Sequence, residues 1–384
     1  MGSETGRPHI GVGIIGTGFM GKAHAFAYNS VAAYFPETAV PVLEVVADVN
    51  GAAAEAAKAQ FGFRRATTDW RDLVADPAVA IVSITAPNAL HREIALAAAQ
   101  AGKHIHCEKP IAPDARAALD MVEAATAAGV VTQAGFNYLQ NPLIKLARDM
   151  IAAGELGEIT SFRGIHAEDY MADPQAPWTW RLDPAGGGGV IADLGSHIIA
   201  MARFLLGDIT HVNADLETAI ASRPVAPGSA ERRAVEVDDI ARVALRFARG
   251  CSGHIEANWL ATGRKMHLAF EVAGDKGSLV FTQERFNELH FYRAGGDARH
   301  AGFTRIEAGP QHAPYGHFCV APGHQLGFND LKVIETATFL QAIAGKGDGK
   351  GDGLGPDFRE AWEIQKVIDT AIRSAAERSW LAVS

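Results

Sequence analysis

Apolar positions fall in short runs at near-regular intervals through the first third of the chain and alternate with polar ones over much of the rest. Ile10 to Ile15 (IGVGII), Val42 to Ala47 (VLEVVA) and Ala80 to Thr85 (AIVSIT) are continuous enough to be strands covered on both faces, and His104 to Cys107 and Val130 to Phe136 extend the series. Between them lie segments of helical character: Lys22 to Tyr28, the alanine-rich Leu90 to Ala101, and Pro113 to Ala128. Strands alternating with helices predict an α/β unit built on a doubly wound parallel sheet.

From about residue 150 the period changes. Ile159 to Ile165, His211 to Leu216, Ile240 to Phe247, Gly253 to Ala257, His267 to Val272 and Ser278 to Phe281 read as strands with short turns, Gly274-Asp275-Lys276-Gly277 being one. The pattern predicts a large, mostly antiparallel sheet in an α+β unit, with one face open. An open face needs covering, so a homodimer or homotetramer through this sheet is expected. Val190 to Leu206 has helical spacing, and Leu331 to Ala342 and Asp357 to Arg378 read as amphipathic helices that pack between the domains or back on the first. A chain of 384 residues, 48% hydrophobic, exceeds one ordinary core, and the expected domains are 8–138 and 139–384.

Charge and cysteine content narrow the partners. A formal charge of −9 with no Lys/Arg run argues against nucleic acid. Cys107, Cys251 and Cys319 are scattered without a CxxC spacing, which suits a reducing cytoplasm rather than a disulfide framework. The polar stretch Met1 to His9 resembles neither a signal peptide nor a membrane span, and no membrane partner is expected. Gly345 to Gly355 reads as a loop joining two helices.

Three motifs carry chemistry. Gly16-Thr17-Gly18-Phe19-Met20-Gly21 follows the first apolar run and opens a helix. A tight turn, close backbone approach and helix-on-strand packing are what a dinucleotide pyrophosphate requires there. Asp48 ends the second run, where a carboxylate accepts from ribose hydroxyls and repels a 2′-phosphate. Residues 49 to 57 hold no cation, so NAD is favoured over NADP, although a plain loop aspartate after a strand would look the same. Thr85-Ala86-Pro87-Asn88 and Glu108-Lys109-Pro110 fall after later strands, on the ligand side of such a sheet. Lys109 is suited to steady a reacting oxygen, and Pro110 restricts its backbone; a strand-end lysine paired with Glu108 would read alike. Asp193 and His197 stand four apart on a helical face behind Gly186 to Gly189, a spacing that makes a histidine a general base or merely seats a buried one. The glycine run is expected to leave room for a ring-shaped substrate. His104, Cys107 and Glu108, and His312, His317, Cys319 and His324, lack zinc spacing, so no metal is expected.

With these residues in hand, the chain resembles the Gfo/Idh/MocA oxidoreductases, the family of glucose-fructose oxidoreductase and inositol dehydrogenase. The resemblance rests on GTGFMG, Thr85 to Asn88 followed by His91, EKP, Trp180-Arg181, Asp193/His197, Ser374-Ala375-Ala376 and Trp380. It implies a Rossmann domain followed by an α/β domain with a large open sheet. Lys109, Asp193 and His197 would be the catalytic set, with His197 the base, and Asn88, His91 and Glu108 would line the nicotinamide side. The substrate would be a sugar or cyclic polyol, and similarity near Phe19 to Tyr28 and Trp180 points to bacterial dehydrogenases of anhydrosugars such as levoglucosan and of glycosides. Where relatives often carry Arg-Arg, this chain has Asn137-Tyr138-Leu139-Gln140-Asn141-Pro142, which argues for a neutral substrate. Substrate contacts are expected from Asn137, Tyr138, Tyr170, Trp180, Arg181, His197, Tyr315 and His324, the last two in a loop, Gly309 to Phe328, long enough to be a lid. Besides a dehydrogenase oxidising a ring hydroxyl, the same residues suit a glycosidase or epimerase-like enzyme that oxidises transiently on tightly held NAD, or a sugar sensor that has lost catalysis.

Overall fold

The computed structural model describes residues 6–345 and 355–384, so most of the glycine-rich stretch from 345 to 355 lies outside the described residues. In chain order the elements are β1 (His9–Ile15), α1 (Phe19–Tyr34), β2 (Val40–Ala47), α2 (Gly51–Phe61), β3 (Arg65–Thr67), α3 (Trp70–Ala75), β4 (Ile81–Ile84), α4 (His91–Gln100), β5 (His104–Cys107), α5 (Ala115–Ala128) and β6 (Thr132–Ala134). There follow α6 (Pro142–Ala152), β7 (Ile159–Ala167), α7 (Ser196–Leu206), β8 (Ile209–Glu217), β9 (Ser222–Pro224), β10 (Arg232–Ala234), β11 (Ile240–Phe247), β12 (Ser252–Asn258), β13 (His267–Gly274) and β14 (Gly277–Thr282). The last are β15 (Glu288–Arg293), β16 (Thr304–Glu307), α8 (Phe328–Ile343), α9 (Phe358–Glu377) and β17 (Leu381–Ala382).

Two compact units share the chain. Residues 1–112, 116–140 and 326–362 form the first, and 113–115, 141–325 and 363–384 the second. The division expected at 138/139 lies beside the boundary at 140, and α8 belongs with the first unit despite its place late in the sequence, in line with the expectation that C-terminal helices pack between the domains or back on the first.

The first unit holds six strands in the order β3-β2-β1-β4-β5-β6, every neighbouring pair parallel. Val12, Ile81, Val82, Ile84 and Ile105 are fully buried, which is why these strands read as unbroken apolar runs. Strand order reverses between β1 and β4, so the loops after their carboxyl ends flank the crevice where such sheets receive ligands. Local signals fix helix ends: Asn50 caps α2 by accepting from Ala53 N at 3.2 Å, and Gly62 ends it at φ +82. Helix α8 departs from the amphipathic reading, since every residue from Leu331 to Leu340 is buried, Lys332 and Glu335 among them.

The second unit is organised on nine strands in the order β16-β15-β14-β13-β7-β12-β11-β8-β17. All pairs are antiparallel except β7 with β12. Ala241, Val243, Leu245 and Phe247 of β11 face the core while Arg242 and Arg246 face outward, the alternation expected of a sheet with one open side. Pro184–Leu206, 23 residues, is long and apolar enough to cross a membrane by length and composition; its most apolar stretch is 89% buried inside the protein, which accounts for that character.

Candidate active site

In the first unit, the turn after β1 is shaped by two glycines with no room for a side chain. Gly16 adopts φ +101, and a Cβ on Gly21 would lie 2.1 Å from Gly16 O. Gly18 is the opposite case, with nothing within 4 Å of its ideal Cβ. Helix α1 begins there without a side-chain cap or an acidic residue in its first turn, leaving backbone N–H groups to meet an anion. Thr85, expected to touch the cofactor, donates from Oγ1 to Ile15 O (2.9 Å) and Gly16 O (3.0 Å) and so braces the turn. Asp48 sits at the end of β2 with Oδ2 accepting from Thr17 N (3.0 Å) and Thr17 Oγ1 (2.6 Å), and Oδ1 accepting from Asn50 N (2.9 Å). The uncapped helix, the open space over Gly18 and a carboxylate fixed beside the turn together fit NAD: pyrophosphate at Gly16 to Gly21 and ribose at Asp48. Phe19 is 71% exposed and stacks on Phe328 with ring centroids 5.4 Å apart; the Tyr138 ring lies tilted to Phe328 at 6.2 Å.

His91, expected to line the nicotinamide side, lies in the interior. It is fully buried, with Nδ1 2.9 Å from Pro110 O and Nε2 2.8 Å from Ala86 O; burial favours the neutral ring, which packs between the two loops and donates to one of these carbonyls. Asn88 is buried at the start of a short turn, and Asn137 is buried with Nδ2 lacking an acceptor among the described residues.

Glu108 is likewise buried, at the head of a polar chain. Its Oε1 accepts from His24 Nε2 and from Lys332 Nζ, each at 2.8 Å. Lys332 Nζ also donates to Glu335 Oε1 at 2.7 Å, and that oxygen takes His106 Nε2 at 2.9 Å. Ser83 Oγ (2.7 Å from His24 Nδ1) and Tyr28 OH (3.1 Å from His106 Nδ1) close the two ends. Burial, with the charges of His106 and Lys332, pushes His24 down to about 3, so the neutral ring donates to Glu108 and accepts from Ser83. Burial opposes the ionised form of Glu108, yet Lys332 and His24 hold it well below the usual carboxylate range; Lys332 and His106 do the same for Glu335. His24, His106 and Glu335 bring ligand-type atoms within 4.8 Å of one another, and the cation bonded within this cluster is the Lys332 ammonium. None of His24, Ser83, His106, Lys332 or Glu335 stood out in the sequence; a Lys-x-x-Glu pair inside an apolar helix was the available signal.

In the second unit, one π-helical turn, Ile191–Gly195, precedes α7 and carries Asp193. Asp193 Oδ2 accepts from Tyr170 OH at 2.7 Å and Arg181 Nε at 3.1 Å. Burial of the Tyr170 hydroxyl and the Asp193 charge raise its pKa, so it remains a donor. The Arg181 guanidinium lies 4.4 Å from the centroid of the Trp180 ring, which is 41% exposed. Three residues expected to bind substrate thus gather at Asp193. His197 opens α7, buried, its ring edge-on to His166 at 5.4 Å; His166 Nδ1 faces Leu194 O (3.0 Å) and Nε2 faces Glu168 Oε1 (3.1 Å). His166 escaped the sequence reading, though a histidine on the core-facing parity of β7 is a visible anomaly.

The glycine run before Asp193 does not leave room for a substrate ring. A Cβ would meet Pro113 Cα at 2.6 Å from Gly187, Arg181 O at 2.5 Å from Gly188, and Asp238 Oδ1 at 2.2 Å from Gly189. These glycines serve close packing. Asp238 holds the segment by accepting from Ile191 N at 2.9 Å, and burial pushes its carboxyl up to about 6. Tyr315 is also away from any open surface, fully buried with its hydroxyl 3.3 Å from Ala321 O, whereas His324 is exposed.

A parallel sheet whose glycine turn and strand-end carboxylate suit NAD defines an NAD-binding oxidoreductase. Residues 10–136 match the oxidoreductase family with an NAD-binding Rossmann fold, residues 144–280 match the GFO/IDH/MocA C-terminal domain, and the chain belongs to the Gfo/Idh/MocA family. It is 39% identical to levoglucosan dehydrogenase of Pseudarthrobacter phenanthrenivorans over 98% of both chains. It is 29% identical to inositol 2-dehydrogenase of Rhizobium meliloti over 97% of this chain and 98% of that one. A solved structure of levoglucosan dehydrogenase in complex with NADH and levoglucosan superposes with a TM-score of 0.91 at 39% identity, covering 98% of this chain and 99% of the other.

Proposed function

We propose that this protein is an NAD-dependent dehydrogenase that oxidises a ring secondary hydroxyl of a neutral anhydrosugar, sugar, glycoside or cyclic polyol to the ketone. The observation that carries the reading is the Asp193 cluster: a carboxylate fixed by Tyr170 and Arg181 one helical turn before His197, with the exposed Trp180 face beside it. Fixed acceptors and donors suit hydroxyl groups, and an aromatic face suits the C–H surface of a ring.

NAD, when bound, supplies the hydride acceptor. His197 is assigned to take the hydroxyl proton, and Asp193 to orient the reacting groups as a fixed anion. The Lys109 ammonium is assigned to steady the oxygen as negative charge develops on it. The buried or partly buried free thiols fit a cytoplasmic setting, and the open face of the nine-stranded sheet fits a homodimer or homotetramer.

The test is NADH formation on a panel of levoglucosan, other neutral sugars, glycosides and inositols, with NADP run beside NAD, after assaying the purified protein for bound nucleotide. Free NADH accumulating with at least one member is the expected result. Bound nucleotide with no net NADH on any of them would replace this reading with transient oxidation on a retained cofactor.

A further inference from the structure

The buried chain around Glu108 has no direct part in moving a proton or a hydride, yet it places two carboxylates and an ammonium in the core of the first unit, where the desolvation cost is several kcal/mol per ion. Apolar residues would fill that volume at lower cost, so the arrangement calls for a role. Glu108 is the residue before Lys109, and its Oε2 lies 3.4 Å from Lys109 N. Its other oxygen joins α1, through His24, to α8, through Lys332. Behind it the backbone of Gly135 stands so close that a Cβ there would be 2.5 Å from Oε1. The carboxylate is therefore pinned on three sides, and α1 is the helix that begins at the cofactor turn.

We propose that Lys332 is a positioning residue of the dehydrogenase reaction, pinning Glu108 so that the loop of Lys109 keeps a fixed place relative to the helix that begins at the glycine turn. The proposal rests on the reading of Lys109 as catalytic. Lys332 touches neither substrate nor cofactor in this role; it acts through Glu108, 224 residues earlier in the chain. The groups facing Glu108 are His24 from α1, Lys332 and Glu335 from α8, His91 from α4, and its neighbours Cys107 and Lys109. With Lys332 replaced by methionine, Glu108 stays buried near Glu335 without the ammonium that Oε1 now accepts from. Its proton affinity rises, and its ionised form is lost at higher pH than in the wild type.

The test measures kcat, KM and NAD affinity across pH for Lys332→Met, Glu108→Gln, the double variant and Lys109→Ala, using the best substrate of the panel, with circular dichroism as the check of folding. Lys332→Met is expected to lower kcat tenfold or more, leave NAD affinity within about threefold, and move the acid limb of the kcat profile up by a pH unit or more. The double variant is expected to be no slower than Glu108→Gln and to show no such upward shift, since the group whose proton affinity rises is gone. A folded Lys332→Met enzyme with wild-type kcat and pH profile overturns the proposal, as do losses that multiply in the double variant. If Lys332→Met fails to fold, the double variant, which removes an opposite charge with the ammonium, decides by its comparison with Glu108→Gln. Full turnover in Lys109→Ala would instead remove Lys109 from the chemistry; an inactive Lys109→Ala beside an unaltered Lys332→Met would sink only the role of Lys332.

Discussion

Substituting Gly135 by alanine tests whether Glu108 is held as rigidly as its contacts imply. An ideal Cβ at this position lies 2.5 Å from Glu108 Oε1, 2.6 Å from Cδ and 2.7 Å from Oε2. A carbon and an oxygen need about 3.2 Å or more, so the carboxylate must retreat by roughly 0.7 Å. That distance breaks the 2.8 Å bonds to His24 and Lys332. Separating a buried ion pair costs about 3–5 kcal/mol. Gly135 is not among the glycines with positive φ, so alanine fits its backbone and returns about 0.4–1 kcal/mol by restricting the unfolded chain. The net expectation is a loss of about 2–4 kcal/mol, read as a fall of the urea midpoint by roughly 1 M or less, because the m-value of a 384-residue chain exceeds the small-protein range of about 1–3 kcal/mol/M. The penalty should largely vanish when Gly135→Ala is placed on Glu108→Ala, where the three atoms nearest the new methyl are gone. A Gly135→Ala protein within about 0.5 kcal/mol of wild type would mean that the carboxylate swings aside at no cost, and the argument for a pinned Glu108 would fail.

Two further perturbations probe the other sites. Asp238 is pushed up to about 6 by burial, above its unfolded value of 3.8, so the folded protein binds the extra proton and stability falls as pH rises from about 4 to 6, a drain of about 3 kcal/mol that is complete above pH 7. The melting temperature of Asp238→Asn relative to wild type should therefore climb across that window and then level off, and a difference flat from pH 4 to 8 would contradict it. Asp48→Ala, removing the carboxylate at the end of β2, should weaken NAD tenfold or more while changing NADP far less, read by fluorescence titration; an unaltered preference would show that Asp48 does not face the ribose.

Much of the first unit was legible because a strand covered on both faces must be apolar throughout and a helix must follow it. β1, β2, β4 and β5 are the runs that the sequence singled out. β3, three residues with an exposed arginine, offers no period to detect and becomes a strand only by pairing with β2. β15 and β16 extend the second sheet beyond the strands expected there, and Glu288–Arg293 (ELHFYR) joins it by pairing with β14. The buried polar chain was out of reach for another reason. Its partners are 84 and 224 residues apart, and neither distance leaves a local mark. Likewise Gly186 to Gly189 read as open space because glycine has no side chain, when the bare backbone is what lets Pro113 and Asp238 approach.

Asp193 combines a feature that spacing revealed with one that only the fold provides. Helical spacing placed it with His197, but spacing is silent about what holds the carboxylate itself. Tyr170, 23 residues away, and Arg181, 12 residues away, both donate to Oδ2. One donor is cationic and the other keeps its proton, so this oxygen is an anionic acceptor with a fixed direction. Arg181 also lies on Trp180, which ties the orientation of the exposed ring to the same carboxylate. Residues expected from the sequence as substrate contacts thus hold the carboxylate that is assigned to orient the reacting groups. Trp180→Ala would release one face of Arg181, a donor to Asp193, so it is expected to lower kcat as well as raise KM on the best substrate of the panel; an unaltered kcat would separate the ring from the carboxylate.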